Sequence, residues 1–303
     1  MRIAVIGAGA MGSIYAGHLS KNNEVILIDL KEDVIDKINE TGIKIDENGA
    51  TNTYYPKAYV KSDGLDPVDL IIVFVKSMFS ESALKENENL ISGDTYLMTL
   101  QNGAGHQEIL KKFVSEDKVI IGTTEDNGAV IGLGHVKRGG VGNTNIGLIN
   151  KDSDESFLEK IKESFVSCGF NLNIEENINQ LIWNKIITNA SLSVLTGILQ
   201  VPIGFIARNE NSWSLCKKLI NEVLETGRAQ GLSFDTDKEV EKVRLTSINN
   251  PDGLTSIYAD IKEGRKSEVD TISGAIVKAG KEFGVNTPYS EFAVNAVHAL
   301  ECK

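Results

Sequence analysis

Two hydrophobic rhythms run along the chain. Up to Ile174, short apolar runs rich in β-branched residues alternate with segments of helical spacing. That is the pattern of a parallel sheet covered by helices. Arg2–Ile6, Glu24–Asp29, Asp69–Lys76, Thr95–Leu100, Val119–Thr124 and Asn171–Ile174 read as strands. Ala10–Leu19, Asp33–Glu40, Ser80–Glu88 and Ser153–Cys168 read as helices. Ile43–Val60, turning at Glu47-Asn48-Gly49, predicts a β-excursion, and the glycine-rich Asn127–Ile149 predicts antiparallel ribbons. After Glu176 the strand signal stops. Leu181–Leu199, Asn211–Gln230, Leu254–Glu263 and Ser267–Phe283 all carry helical periodicity. The expected architecture is an α/β domain over residues 1–176 followed by an all-α domain over 177–303.

Between the first strand and the first helix lies Gly7-Ala8-Gly9-Ala10-Met11-Gly12, a GxGxxG. The first glycine allows a tight turn, the second lets a pyrophosphate approach the backbone, and the third lets helix and strand pack closely. The phosphates then meet the free N–H groups at the positive end of the helix. A lone GxGxxG is weak, but this one follows a strand, opens a helix and precedes a second strand ending in Asp29. That context predicts a Rossmann-type domain binding NAD(P)H through Gly7 to Gly12. Asp29 is placed to accept hydrogen bonds from a ribose 2′-hydroxyl and to repel a 2′-phosphate, which favours NADH over NADPH. Lys31 nearby softens that preference. Lys76 and Asn102 fall at the carboxyl ends of two strands, where open α/β sheets bind ligands, and are expected beside the cofactor. The competing reading of Asn102-Gly103 is plain turn chemistry.

In the helical half, Lys185, Asn189 and Ser193 recur every fourth residue along Leu181–Leu199. That spacing predicts an ammonium, an amide and a hydroxyl on one helix face. A lysine on an apolar helix needs water, a partner or a ligand for its head. The plain alternative is a snorkelling lysine beside two satisfied polar residues. Ser256 and Asp260 are also four apart, and Gly264 ends their helix. Ser267-Glu268-Val269-Asp270 has capping-box spacing, which would put Glu268 in a helix's first turn, where an ionised carboxylate is favoured. Acids at such positions are commonly only structural.

Charge narrows the function classes. A net charge of −11 over 303 residues, with no basic runs, argues against nucleic acid and anionic membranes as partners. No apolar run is long enough to span a bilayer, and Ile3–Ile6 is too short for a signal sequence before glycine intervenes, so a cytoplasmic protein is expected. Cys168, Cys216 and Cys302 are widely spaced and odd in number, as reduced thiols are. His18, His106, His135 and His298 lack metal-ligand spacing, so no metal is expected.

An ordered series of motifs resembles the ketopantoate (2-dehydropantoate 2-) reductases. It runs through GAGAMG at Gly7, VFVKS around Lys76, LQNGAG around Asn102 and GHVKRGGVGNTNIG ending at Gly147. WNKIITN around Lys185, GRKSEVDTISG around Glu268 and GVNTP at Gly284 to Pro288 complete it. The resemblance implies a hydride transfer from nicotinamide to the ketone of a small 2-oxo acid. By position, Lys185 would protonate the nascent alkoxide and Glu268 would hydrogen-bond the lysine or the substrate. Asn189, Ser193 and Ser256 would hold the substrate, and a homodimer through the helical half is implied. The sequence departs from the family where asparagine is frequent, with Ser193 and Ile203 instead, and has Asp29-Leu30 where the family often has arginine. Those departures resemble NAD-dependent D-2-hydroxyacid dehydrogenases of the same fold that act on branched or aromatic 2-oxo acids. A third class, a dinucleotide-binding sensor without chemistry, would have no use for the trio Lys185, Asn189 and Glu268.

Overall fold

A computed structural model describes residues 1–150 and 152–302. It divides into two compact units, one of residues 1–101 with 106–178, the other of residues 102–105 with 179–303.

The first unit holds two sheets. Its strands in chain order are β1 (Arg2–Ile6), β2 (Glu24–Ile28), β3 (Ile43–Glu47), β4 (Ala50–Tyr54), β5 (Lys57–Tyr59) and β6 (Leu70–Val73). They continue with β7 (Tyr96–Thr99), β8 (Val119–Thr124), β9 (Asn127–Gly132), β10 (His135–Gly140), β11 (Asn143–Leu148) and β12 (Asn171–Ile174). The larger sheet runs β12-β11-β8-β7-β6-β1-β2-β5. It is parallel from β5 to β8, with β1 central: Ile3 pairs with Val25 on one side and Leu70 on the other. β6 is buried along its whole length and β1, β2 and β7 from their second residue on, as their apolar runs require.

The smaller sheet, β4-β3-β10-β9, lies over the Ala10–Leu19 helix. Asn48 and Gly49, both with positive φ, make the β3–β4 turn where the sequence placed it. The excursion splits, however: β5 returns to the edge of the large sheet, and β11 from the glycine-rich stretch enters that sheet between β8 and β12. A buried polar knot fastens the small sheet to the helix. His18 lies 3.1 Å from Glu47 and 3.3 Å from the Cys168 carbonyl. Arg138 grips Asp126 at 2.9 and 3.0 Å and reaches Glu47 at 3.6 Å. Burial holds the His18 imidazole below its ordinary pKa, against the pull of Glu47 and with help from Lys21 and Arg138.

In the second unit the described secondary structure is all helical. Helices at Ile203–Arg208, Thr236–Asn249 and Pro288–Glu301 add to those read from periodicity. The Leu181–Leu199 expectation is corrected in one respect: α-helix Ile178–Thr188 widens into a π turn at Asn189–Ser193 before α-helix Val194–Leu199. Ser191 donates its hydroxyl to the Ile187 carbonyl four residues back, competing with the α-helical bond that carbonyl would otherwise accept. Among the described residues no helix is long and apolar enough to cross a membrane.

Candidate active site

The glycine loop shows three different environments. Gly7 has φ +110°, and a Cβ there would come within 2.8 Å of the Phe74 and Val75 backbone. A Cβ on Gly12 would lie 1.8 Å from the Gly7 carbonyl oxygen. Gly9, by contrast, has nothing within 4 Å of that position. The outer glycines are therefore required by packing, while the middle one borders open space, as close approach of a phosphate demands. Gly9 caps the Ala10–Leu19 helix without any side-chain bond, so the first-turn N–H groups have no acceptor within the helix. Ala10 and Met11 supply that turn and are half-buried.

Asp29 stands just past β2 and has a structural duty. Its Oδ2 accepts the Ala8 N–H at 2.7 Å, and its Oδ1 accepts the Lys31 N–H at 3.0 Å. Each oxygen keeps a further lone pair, so the carboxylate is oriented rather than used up.

Lys76 is corrected in placement. The strand expected over Asp69–Lys76 ends at Val73, and Lys76 caps a 3₁₀ turn at Ser77–Phe79. Gln101 explains the early end. Its Nε2 donates to the Val75 carbonyl and, at 2.9 Å, to Ser80 Oγ, while its Oε1 accepts from Thr99 Oγ1 at 2.8 Å. A side chain has taken the place of a sheet neighbour and drawn the Lys76 segment away from the ladder. Sequence reading gave Gln101 no role, although it sits in the LQNGAG motif.

In the second unit, Leu181, Asn184, Lys185, Thr188 and Asn189 form a half-buried stripe on a helix whose other residues from Ile182 to Ala190 are buried. The lysine and one amide thus share a face, as their spacing predicts. Ser193 leaves that stripe: it is 8% exposed, within a fully buried run from Ala190 to Gly197. The π turn inserts the equivalent of one residue, rotating the later positions by roughly 100° relative to an unbroken α-helix. The Ser193 carbonyl is still engaged, accepting from Thr196 Oγ1 at 2.8 Å and Thr255 Oγ1 at 3.4 Å. Thr255 caps the Ser256–Lys262 helix, so the exposed Ser256 is tied to the π turn through its neighbour. Ile203 is 8% exposed and its N–H donates to the Gly253 carbonyl.

Glu268 is half-buried and corrected by one position. It is itself the N-cap of the Val269–Phe283 helix and lends no side-chain capping bond, while Ser267 Oγ accepts the Val269 N–H at 3.4 Å. The acid's part in the expected capping box passes to Glu301, whose Oε1 accepts the Ser267 N–H at 2.7 Å and its hydroxyl at 2.6 Å. Asn102 is also corrected in place. Instead of remaining with the strand that delivers it, the strap 102–105 belongs to the helical unit. Ala104 donates its N–H to the Thr271 carbonyl at 2.9 Å, and Gly103 leaves no room for a Cβ against the same carbonyl. Thr271 Oγ1 lies 3.2 Å from both the Asn102 and Glu268 carbonyls. Thr271, unremarked in the sequence, joins two of the expected site residues.

Among the described residues no three His, Cys, Asp or Glu side chains gather in a group that could hold a metal ion. Cys168 and Cys216 are buried and Cys302 exposed, all as free thiols, and burial pushes Cys216 up to about 12.

The family models for ketopantoate reductase PanE/ApbA and for its C-terminal region match residues 3–151 and 177–301. The chain belongs to the ketopantoate reductase family. It is similar to the 2-dehydropantoate 2-reductase of Pyrococcus horikoshii, 32% identical over 99% of this chain and 98% of that one. The enzyme of the same name from Lactococcus lactis subsp. lactis is 30% identical over the same shares. Among solved structures, D-mandelate dehydrogenase with NADH and anilino(oxo)acetate matches with a TM-score of 0.92 and 32% identity. That match covers 100% of this chain and 99% of that one. As a ketopantoate reductase family member, the chain is an NAD(P)-dependent oxidoreductase acting on a CH–OH group. The N-terminal half of the family fold carries the glycine loop, and the helical half carries Lys185 and Glu268.

Proposed function

We infer that the chain uses NADH to reduce the ketone of a 2-oxo acid to a D-2-hydroxy acid, with 2-dehydropantoate as substrate. The observation that carries the reading is the glycine loop, where the outer glycines are packed tight and Gly9 alone faces open space. The names of the curated relatives support the substrate. Gly7 to Gly12 would hold the pyrophosphate, and Asp29, already oriented by two backbone amides, would accept the ribose hydroxyls and repel a 2′-phosphate. Lys76 and Asn102 would lie beside the cofactor.

Bound reduced nicotinamide supplies the hydride. Lys185 brings a lysine head group to the half-buried face it shares with Asn189. Its ammonium stabilises the oxygen on which negative charge grows, then gives it a proton, and solvent reprotonates the resulting amine. Glu268 orients that ammonium or the substrate, while Asn189, Ser193 and Ser256 hold the acid.

A bulkier, more apolar 2-oxo acid is the second reading. Ser193 and Ile203 favour it, because both are buried where asparagine is frequent in the family, and an amide lost there leaves a less polar pocket. The resemblance to D-mandelate dehydrogenase points the same way. Specificity constants for 2-dehydropantoate and 2-oxoisocaproate, each with NADH and NADPH, separate the readings. Preference for 2-dehydropantoate is expected, and a much higher value for 2-oxoisocaproate transfers the assignment. Turnover of neither acid would leave only a nucleotide sensor. Asp29→Ala should lower the NADH/NADPH ratio, and an unmoved ratio removes Asp29 from ribose recognition.

A further inference from the structure

Glu301 is a carboxylate that nothing in the proposed chemistry requires, and its side chain is only 4% exposed. Burying an ionised carboxylate is costly unless donors surround it. Here they do. Oε1 accepts the Ser267 N–H and the Ser267 hydroxyl, and Oε2 lies 3.1 Å from His298 Nδ1. His298 extends the link, its Nε2 standing 2.9 Å from Asp270 Oδ1. These donors hold the Glu301 carboxyl below the usual carboxylate range against the cost of burial.

The two residues gripped in this way, Ser267 and Asp270, flank Glu268 on either side. Glu268 needs such support. It begins its helix with φ −96° and ψ 30° and lends no side-chain cap of its own, and the Val269 N–H is met by a long 3.4 Å bond to Ser267 Oγ. A helix start held by so long a bond is prone to fray in its first residues unless the capping serine is itself held. The same turn is tied at Thr271, whose Oγ1 donates to the Glu268 carbonyl and to the backbone carbonyl of Asn102.

We propose that Glu301 is a positioning residue for reduction: from the C-terminal helix it takes the acid's place in the capping box around Ser267 and fixes the carboxylate of Glu268 for catalysis. This rests on the role given to Glu268 in the proposed reaction. The contacts belong to one compact unit, and the pyrophosphate and ribose groups assigned above belong to the other, so the effect falls on chemistry.

The test measures kcat, KM and the NADH dissociation constant for Glu301→Ala, Glu301→Gln, Glu268→Ala and the Glu268→Ala/Glu301→Ala double variant. Glu301→Ala should lower kcat about ten- to a hundredfold, the scale of a modest misplacement at a reacting centre. Its NADH affinity should stay unchanged. Glu301→Gln keeps an acceptor for both Ser267 donors and should recover most of kcat. In the double variant the losses should not add, because Glu301 acts only through Glu268. Unchanged kcat in Glu301→Ala alongside a damaged Glu268→Ala overturns the proposal and leaves the role of Glu268 intact. Unchanged kcat in Glu268→Ala overturns the reading on which it rests. If Glu301→Ala does not fold, Ser267→Ala, which removes one of the two donors, should show a smaller fall in kcat at constant NADH affinity. Full activity in that variant overturns the proposal.

Discussion

At the scale of single residues, Lys185 carries the chemical reading. It lies on a half-buried stripe with Asn189, on a helix whose neighbouring residues are buried. Lys185→Ala is expected to lower kcat by several orders of magnitude, because both a proton donor and the charge facing the alkoxide are lost. The NADH dissociation constant, followed by nucleotide fluorescence, should barely change. Near-normal kcat would remove the general-acid assignment. Lys185 and Asn189 were legible from spacing alone, since four residues on an α-helix return to one face. Ser193 was not. Its burial follows from a π turn, and that turn arises from a serine hydroxyl taking a carbonyl, a choice that apolar periodicity does not record.

Elements show how backbone and side chain divide the work. In the strand–loop–helix at the start of the chain, three glycines of one motif should respond differently to the same substitution. Gly12→Ala should abolish folding of the first unit, because the added carbon would lie 1.8 Å from a carbonyl oxygen. Gly9→Ala should leave the melting temperature nearly unchanged and weaken NADH binding, since its only new neighbour is the ligand. Thermal melts and nucleotide titrations read the two effects. Equal loss of stability in both variants would mean that the open space at Gly9 serves no ligand. Elsewhere, element ends were the weak part of the sequence reading. Val73, Ser267 and Asn102 each depart from the expected pattern because a distant residue intervenes: Gln101, Glu301 and Thr271. In those three bonds the partners lie between 26 and 169 residues apart, outside any local window.

For the whole molecule, the two units carry histidines with opposite pH responses. His18 is held below its ordinary value by burial, so its contribution to the first unit is present above about pH 6.5 and is lost as pH falls through the folded value. His298 is raised: burial opposes the shift, but Asp270 and Glu301 outweigh it. Its contribution to the second unit is present below about pH 6.5 and fades as pH rises through the folded value, weakened by solvent screening. Both tryptophans, Trp183 and Trp213, lie in the second unit. Acid unfolding should therefore appear in circular dichroism before tryptophan fluorescence changes, and His18→Gln should remove that early phase. Coincident transitions would show that His18 does not set acid stability. The sequence by itself determined the α/β then all-α plan, the dinucleotide loop and the family, because periodicity, glycine placement and motif order are local properties of the chain. Only the tertiary structure decided that Asn102 joins the helical unit, that Ser193 is buried, and that Glu268 begins its helix under the hold of the C-terminal turn. The first and last of those outcomes turn on hydrogen bonds between residues far apart in the chain, and the burial of Ser193 on a local one, Ser191 to the Ile187 carbonyl, that apolar periodicity does not record.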